Sequence, residues 1–275
     1  MRKLISKCLA VVLVLSCITI GFTSCGSKEE TSMIDKIKES GTLVMGTASG
    51  YPPYEFVSTA DGGDVIGIDV ELGQAIADKL GVSLKVVDMP FGELIAALST
   101  GKCDVAIAGM PETEEKAKSV DFSSVYINDE QSIVVRTADL EQYKSLSDLA
   151  DKTIGVEKGS SCEEVAKAEL PNANMVSLAK VPDVFLELKN NKIDAIVIAK
   201  VVATQYIVSD STVSFANDTV ILENKDKPCQ AAVAKDNEEF LALVDEVIEE
   251  NQDNGNFDDW ILEYCEKANA QGSDN

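Results

Sequence analysis

Short apolar runs alternate with segments of helical periodicity along most of the chain. Three apolar runs between residues 42 and 107 predict strands, and the amphipathic segments between them predict helices. A second set of the same kind lies between residues 153 and 198. The predicted strands are residues 42–46, 84–87, 104–107, 153–156, 174–177 and 194–198, and the predicted helices are residues 69–80, 93–100, 161–170 and 183–190. This order is typical of α/β folds with mostly parallel sheets.

The two sets also resemble each other in sequence, at a displacement of 90 residues. Residues 94–104 align with residues 184–194, and the alignment matches Leu98 with Leu188, Lys102 with Lys192, and Asp104 with Asp194. Each segment predicts a helix, a tight turn and a buried strand. The repeat therefore indicates two lobes built on one plan.

The pattern changes after Asp218. One further strand is predicted at residues 230–234, followed by two amphipathic helices at residues 238–251 and 257–267. This tail has too few apolar residues for a third core, so we expect it to pack against one of the lobes.

The first residues have the layout of a secretion signal. Arg2, Lys3 and Lys7 precede an almost uncharged run that ends at Phe22 and is too short to span a membrane. The sequence Phe-Thr-Ser-Cys, which ends at Cys25, resembles a bacterial lipoprotein signal. It implies that residues 1–24 are removed, that Cys25 is lipidated, and that residues 25–32 form a tether. The alternative is ordinary secretion with a chance cysteine near the cleavage site.

Charge narrows the classes of function. The chain has 47 acidic and 24 basic residues and no histidine, and its formal net charge is −23. Such a charge disfavours nucleic acid as a partner, and the absence of histidine removes the commonest acid/base group and metal ligand. We therefore expect no nucleic acid, no metal and no cofactor.

Four cysteines remain once the signal and the lipidation site are set aside. They show no Cys-x-x-Cys spacing, and two of them fall where an apolar strand residue would fit. We expect buried free thiols rather than a zinc site or disulfides, although three disulfide pairings are compatible with the sequence. The four are Cys103, Cys162, Cys229 and Cys265.

Two loops at the carboxyl ends of predicted strands are candidates for a ligand site, because open parallel sheets bind ligands there. Residues 108–118 contain Lys116, and residues 157–164 contain Ser160 and Ser161. Either serine can cap a helix, and Ser161 with the acid three residues later has the form of a capping box. We expect two helix N-termini, one from each lobe, to bind one small anion with help from Lys116. The alternatives are a solvated lysine and ordinary caps.

Seven short motifs together resemble the amino-acid-type bacterial extracellular solute-binding proteins, family 3, which deliver ligands to ATP-driven importers. The resemblance implies a two-lobe, periplasmic-binding-protein-like (type II) α/β fold, in which two hinge strands join the lobes and one ligand binds between them. The motifs are GTLVMGT at 41–47, YPPY at 51–54, VIGIDVEL at 65–72, FGELI at 91–95, VDFS at 120–123, SDL at 147–149 and DNGNF at 253–257.

The same resemblance implies the organisation of the chain and its partners. Lobe 1 is formed by residues 33–128 and 219–270, lobe 2 by residues 129–218, and residues 271–275 are a tail. It further implies a monomer on the outer face of the membrane, held there by its lipid, with an ABC permease as its partner.

Carried over to this sequence, the resemblance assigns aromatic stacking on the ligand to Tyr51 and Phe91, and contacts with the ligand carboxylate to Gly109, Ser160 and Ser161. Lys116 stands where the family has an arginine that binds the α-carboxylate, and a lysine supplies only a point charge. The complete expected ligand-binding set is Tyr51, Phe91, Gly109, Met110, Lys116, Ser160, Ser161 and Ala199.

Three further positions depart from the family pattern. Pro111 has no N–H to donate. Ala199 stands where the family has the carboxylate that receives the α-ammonium, and Ala48 stands where proteins for basic amino acids have an aspartate. An unpaired buried ammonium is costly, so we expect a small carboxylate of the amino-acid class, free or modified, and we expect cationic ligands to bind least well.

Two other classes of function compete with binding. Some proteins of this fold resemble dehydratases, and Glu112 or Glu115 could then serve as the acid or base. A sensory subunit of a membrane kinase is the other class, but no kinase region follows Asn275, so this role would need a separate partner. We expect binding without catalysis.

Overall fold

The computed structural model describes residues 31–60 and 62–272. The strands of this part are β1 (Thr42–Thr47), β2 (Phe56–Val57), β3 (Val65–Ile66), β4 (Ser83–Asp88), β5 (Val105–Met110), β6 (Val120–Arg136), β7 (Thr153–Glu157), β8 (Asn174–Leu178), β9 (Ala195–Ala199), β10 (Val213–Phe215) and β11 (Asp226–Ala234). The helices are α1 (Met33–Ser40), α2 (Ile68–Leu80), α3 (Leu94–Ser99), α4 (Ser161–Glu169), α5 (Val181–Lys189), α6 (Lys200–Ser209), α7 (Glu238–Asp253) and α8 (Asn256–Gly272).

Within these residues a nine-stranded sheet has the order β4-β1-β5-β11-β6-β9-β7-β8, and β10 pairs with β6. In what we call the first half, β1 is parallel to β4 and β5; in the second half, β7 is parallel to β8 and β9. The long strand β6 joins them, because residues 120–130 pair with β11 and residues 131–135 pair with β9. The predicted α/β fold is confirmed.

The six strands and four helices predicted before Asp218 are present, and their boundaries differ from the prediction by at most about three residues. The tail also has the predicted order, although β11 begins at Asp226 rather than at residue 230. Helix α7 packs against α2 and β6, while α8 packs against α2, α6 and α7. The tail thus covers the first half and contacts a helix of the second.

The internal repeat has an atomic counterpart. The carboxylate of Asp104 accepts a hydrogen bond from Val44 N at 2.8 Å, and that of Asp194 accepts one from Thr153 N at 2.9 Å. In each half, this bond ties the start of one strand to a parallel neighbour. The turn before each aspartate is also the same, since Gly101 and Asn191 have φ values of 68° and 57°.

One prediction in the first half is wrong. We expected a helix N-terminus in residues 108–118, after β5, but the chain forms only a 3₁₀ turn at Lys116–Lys118. Strand β5 ends at Met110 and β6 begins at Val120, so residues 111–119 must hold both connections and any helix. Pro111 also lacks an N–H. The expected pair of opposed helix N-termini is therefore reduced to one, that of α4.

The structure decides between the two serines, Ser160 and Ser161, that could cap α4. Ser160 is the capping residue, because its Oγ accepts a hydrogen bond from Glu163 N at 3.2 Å, whereas Ser161 is the first residue of the helix. The capping box that we predicted from Ser161 is therefore not formed. Glu163 stands three residues after the cap, but its carboxylate accepts a hydrogen bond from Gly159 N at 2.6 Å rather than from Ser160 N, which donates to Glu157 O at 3.3 Å.

The free-thiol prediction is confirmed for the described part of the chain. Cys103, Cys162 and Cys229 are buried and free, and Cys265 is free and half-buried. The predicted signal and Cys25 lie outside the described residues. Over the ranges 31–60 and 62–272, no helix is both long and apolar enough to cross a membrane.

Candidate functional site

The two loops that we predicted from the sequence face each other between the halves. Lys116, in the loop after β5, places its Nζ 3.3 Å from Oε1 of Glu164, in the first turns of α4. The side chain of Lys116 is buried, since the residue is only 8% exposed, whereas the side chain of Glu164 remains 47% exposed. Lys116 is therefore not a solvated surface lysine. It forms part of the contact between the halves.

The two serines at the start of α4 have different environments. The Oγ of Ser160 donates a hydrogen bond to Glu157 O at 2.8 Å and caps the helix. The Oγ of Ser161 is also buried, but it has no hydrogen-bond partner among the described residues. A buried hydroxyl without a partner costs stability, so Ser161, unlike Ser160, leaves a polar group unsatisfied at the start of α4.

Tyr51 lies against Gly109. A methyl group on Gly109 would lie 3.2 Å from Cε1 of Tyr51, and Gly109 has a φ of 50°, so a side chain there is both crowded and strained. Together with Glu157, Ser160 and Cys162, Tyr51 borders a cavity of about 10 Å³ between the halves. That volume is about one water molecule.

The remaining predicted residues are buried close to this region. Phe91 and Met110 belong to a core cluster of the first half, which also contains Ala48 and Cys103. Ala199 is the last residue of β9 and pairs with Gln131 of β6. The structure thus brings Tyr51, Gly109, Lys116, Ser160 and Ser161 to the contact between the halves, while Phe91 and Met110 support it from the core.

Lys227 is a residue that the sequence prediction missed. It is 3% exposed, its Nζ donates a hydrogen bond to Gly109 O, and the same Nζ lies 5.4 Å from the ring centroid of Tyr51. The residue precedes the predicted strand and follows a polar segment, which is typical of a loop. The sequence contained one weak signal that Lys227 is buried. Lys227, Cys229 and Ala231 are two residues apart along β11, which is the spacing of one face of a strand.

Glu157 is a second missed residue. It ends β7, is 8% exposed and borders the cavity beside Tyr51. Burial raises the pKa of its carboxyl to about 8, although Lys227 and Lys180 act in the opposite direction. At neutral pH the carboxyl is therefore mostly protonated. It can both donate and accept a hydrogen bond in the cavity.

Two other buried acids lie behind the cavity and already have partners. Asp69 accepts hydrogen bonds from Gly109 N at 2.7 Å and from the Tyr126 hydroxyl at 2.8 Å. The carboxylate of Asp129 accepts hydrogen bonds from the Tyr54 hydroxyl at 3.1 Å and from its own neighbour's backbone N–H. Burial raises the pKa of both acids, and these hydrogen bonds act against that rise.

Two glycines, one in each half, allow the main chains of the halves to approach each other closely. A methyl group on Gly159 would lie 3.1 Å from the Cα of Gly92, and one on Gly92 would lie 3.2 Å from the carbonyl oxygen of Lys158. A hydrogen bond of 2.8 Å from the Tyr206 hydroxyl to Gly50 O joins the halves elsewhere. An open groove of about 520 Å³ next to Tyr206 contains none of the expected ligand-binding residues.

Comparison with known proteins gives the family of this chain. The model of the bacterial extracellular solute-binding proteins, family 3, matches residues 43–267. The chain belongs to this family.

Three relatives illustrate the similarity. The chain is 34% identical to the arginine-binding extracellular protein ArtP of Bacillus subtilis, over 89% of this chain and 92% of that protein. The crystal structure of the amino acid ABC transporter substrate-binding protein AbpA of Streptococcus pneumoniae, bound to L-arginine, has a TM-score of 0.81 and 33% identity and covers 85% of this chain and 98% of its own. An ancestral amino acid-binding protein, AncCDT-1, a precursor of cyclohexadienyl dehydratase, has a TM-score of 0.77 and 30% identity, with coverage of 85% and 99%.

The acids and thiols of the site do not form a metal centre. Across the described ranges, no group of three or more cysteine, aspartate or glutamate residues has the arrangement needed to hold a metal ion.

Proposed function

We propose that this protein is the extracytoplasmic binding subunit of an amino-acid ABC importer, and that it captures a small carboxylate of the amino-acid class between its halves. The observation that carries the proposal is that two residues of the first half meet the start of α4: Tyr51 borders the cavity together with Ser160, and the buried Lys116 lies 3.3 Å from Glu164. A lysine ammonium, a hydroxyl without a partner and one helix N-terminus are suited to bind a carboxylate.

The ligand differs in charge from arginine, which the relatives ArtP and AbpA bind. Ala48 and Ala199 supply no carboxylate for a ligand ammonium or guanidinium, whereas Lys116 and Lys227 add two buried cations. Like charges in a poorly hydrated site repel strongly. We therefore expect free lysine and arginine to bind worse than neutral or acidic members of the class.

A thermal-shift panel tests this proposal, followed by calorimetry on the best compounds. The panel contains free amino acids, N-modified amino acids, short peptides and dicarboxylates. A ligand that binds the closed protein stabilises it by mass action and so raises the melting temperature. At a ligand concentration of 100 times Kd, the free energy of unfolding rises by about 2.7 kcal/mol. Micromolar affinity for free lysine or arginine would overturn the charge assignment, and the absence of binding across the panel would overturn the function.

Capture requires the halves to separate and close again about β6, which pairs with strands of both halves, and about the segment that leads into β11. A cavity of about 10 Å³ cannot admit an amino acid without such movement. In the proposed cycle, ligand binding shifts the population toward the closed form, and that form docks on the permease as a monomer. We place the boundaries between the lobes near residues 128 and 218.

We also propose that Cys25 carries a lipid that holds the protein at the outer face of the membrane. The support is the sequence around Cys25. Growth with an alkyne-labelled fatty acid is expected to label the wild-type protein but not the Cys25→Ser variant. Release of unlabelled wild-type protein into the medium would instead support ordinary secretion.

We propose no catalysis. The dehydratase alternative is favoured by one observation, the protonated Glu157 in the cavity, because a carboxyl with a pKa of about 8 can act as a general acid. Glu112 and Glu115, the acids that the sequence offered for this role, are exposed. Incubation with a cyclohexadienyl acid should leave the substrate unchanged. Product formation that is lost in Glu157→Gln would establish the alternative.

A further inference from the structure

Lys227 is a buried cation beside Tyr51, one of the residues that border the cavity of the proposed site. It lies on β11 directly opposite Asp129 of β6, so its position is fixed by the pairing of β11 with the long strand that joins the halves. Its Nζ donates a hydrogen bond to Gly109 O and lies 3.6 Å from the point that a methyl group on Gly109 would occupy. The ammonium thus reaches from the central strands to the end of β5, beside the ring of Tyr51.

This ammonium keeps its charge. Burial lowers the pKa of Lys227, whereas nearby acidic groups raise it, among them the carboxylate of Asp129 directly opposite in the sheet, and the pKa is raised overall. A charged lysine that is 3% exposed places an ammonium beside the ring of Tyr51 before any ligand arrives.

A ligand ammonium would have few places to bind beside this lysine. The carbonyl of Gly109 already accepts the Lys227 ammonium, and Asp69 is occupied by the Gly109 N–H and the Tyr126 hydroxyl. Asp129 faces Lys227 in the register and accepts from the Tyr54 hydroxyl. Ala199 has no acceptor side chain at all. Among the described residues, two buried acids keep acceptor capacity: Glu157, which borders the cavity and shows no side-chain hydrogen bond, and Glu55, whose Oε2 has no partner.

We propose that Lys227 selects the ligand by supplying, from the protein, the ammonium that a free amino acid would otherwise bring. The ligand is then a carboxylate whose α-position carries no ammonium, such as an N-acylated amino acid or the corresponding 2-hydroxy acid. This inference rests on the proposed function, because it requires a carboxylate bound by Lys116 and the start of α4. It goes further by naming the group that the ligand lacks.

Matched ligands and variants test the inference on the full mature chain. Calorimetry compares a free L-amino acid, its N-acetyl derivative and its 2-hydroxy analogue, each with the same side chain, for several side chains. The wild-type protein should prefer one of the two ammonium-free acids at least tenfold. If the acetylated compound binds better, the ligand is an N-acylated amino acid. If the hydroxy compound binds better, it is a 2-hydroxy acid. The Lys227→Met variant should lose that preference.

Controls separate loss of charge from loss of folding. Lys225→Met removes an exposed lysine that pairs with Glu130 at 2.8 Å, and it should keep the wild-type preference. The double variant Lys227→Met with Asp129→Asn removes both opposed charges and is the variant to use if the single one does not fold. It should also lose the preference, while its circular dichroism remains that of the wild type.

Three outcomes have distinct meanings. If the wild-type protein binds the free amino acid more tightly and Lys227→Met leaves the ratio unchanged, the inference is wrong and the proposed function stands. If Glu157→Gln then abolishes free amino acid binding, Glu157 receives the ammonium in place of Lys227, which again overturns the inference. If none of the three compounds binds for any side chain, the proposed function and the inference both fail.

Discussion

Lys180 and Asp88 join the two halves of the sheet through an ion pair in which Nζ and Oδ1 are 2.7 Å apart. Asp88 ends β4 of the first half, and Lys180 directly precedes α5 of the second. Burial acts to raise the pKa of Asp88, but the hydrogen bonds from Lys180 and Ser49 outweigh it and lower that pKa. The pair therefore favours the closed arrangement.

The Lys180→Met variant should bind ligand more weakly than the wild type, because the closed form loses this pair while an open form does not. Partly exposed ion pairs contribute about 0.2–1 kcal/mol, so the expected loss of affinity reaches about fivefold. Calorimetry with the best compound of the panel measures it. Lys189→Met is the matched control, since its pair with Asp210 at 2.6 Å lies within the second half. An equal loss in both variants would contradict a role in closure.

The Lys116→Met variant should lose about tenfold to hundredfold in ligand affinity, because hydrogen bonds to charged groups contribute about 1.5–3 kcal/mol. Lys116→Arg should keep or improve the affinity, since a guanidinium can bind a carboxylate with two parallel hydrogen bonds. Lys118→Met is the exposed control in the same 3₁₀ turn.

A further variant identifies what Lys116 does. Glu164→Gln removes the partner of the ion pair and leaves the lysine in place. If Lys116 serves only this pair, the two variants weaken binding equally. A much larger effect of Lys116→Met is expected if the ammonium contacts the ligand, and equal effects would refute that contact.

Glu157 should make stability depend on pH. Its carboxyl has a pKa of about 8 in the folded protein against the ordinary value of 4.5, so the folded state binds the proton more tightly than the unfolded state. Stability is then lost as the pH rises from about 4.5 to about 8 and levels off above that range. In Glu157→Gln this loss is absent. The melting temperature of the variant relative to the wild type should rise with pH over this interval.

Melting curves at several pH values between 5 and 9 measure the effect. Glu239→Gln, a change at an exposed acid of α7, serves as the control and should follow the wild-type curve at each pH. Parallel curves for the wild type and Glu157→Gln would mean that the carboxyl is not protonated in the folded protein.

The repeated turns offer a test of backbone strain. Gly101 and Asn191 occupy equivalent places with positive φ, a conformation that costs a residue with an ordinary side chain about 1–2 kcal/mol. Gly101→Ala and Asn191→Ala should each destabilise the protein by about 1 kcal/mol in urea unfolding, and Asn191→Gly by much less. Asn190→Ala changes the exposed neighbour, whose φ is −83°, and should be close to neutral.

The sequence predicted the strands, most helices and the repeat because these depend on local periodicity and on short-range turns. Asp104 and Asp194 could be matched before their hydrogen bonds were known, since each stands at the same place in its unit. The absence of a helix after β5 could not be predicted from periodicity. It depends on where β5 ends and β6 begins, because these two points determine how many residues remain between the strands.

Lys227 and Glu157 were missed for a related reason. A charged residue at a buried strand position contradicts the usual pattern of apolar and polar residues, and only its partners in space explain it. For Lys227 those partners, Gly109 O and Asp129, lie far away in the sequence. For Glu157 the cause is burial by Tyr51, which comes from the other half.

The contact between Gly92 and Gly159 limits how far the molecule can shut. Because main chain meets main chain there, no side-chain rotation can bring the halves closer, and the narrowest gap left for a ligand is set by the path of the backbone. We therefore expect this contact to limit the length of the ligand that the closed form accepts. A methyl group added at either glycine should hold the halves of the closed form further apart, so the site should then prefer bulkier compounds.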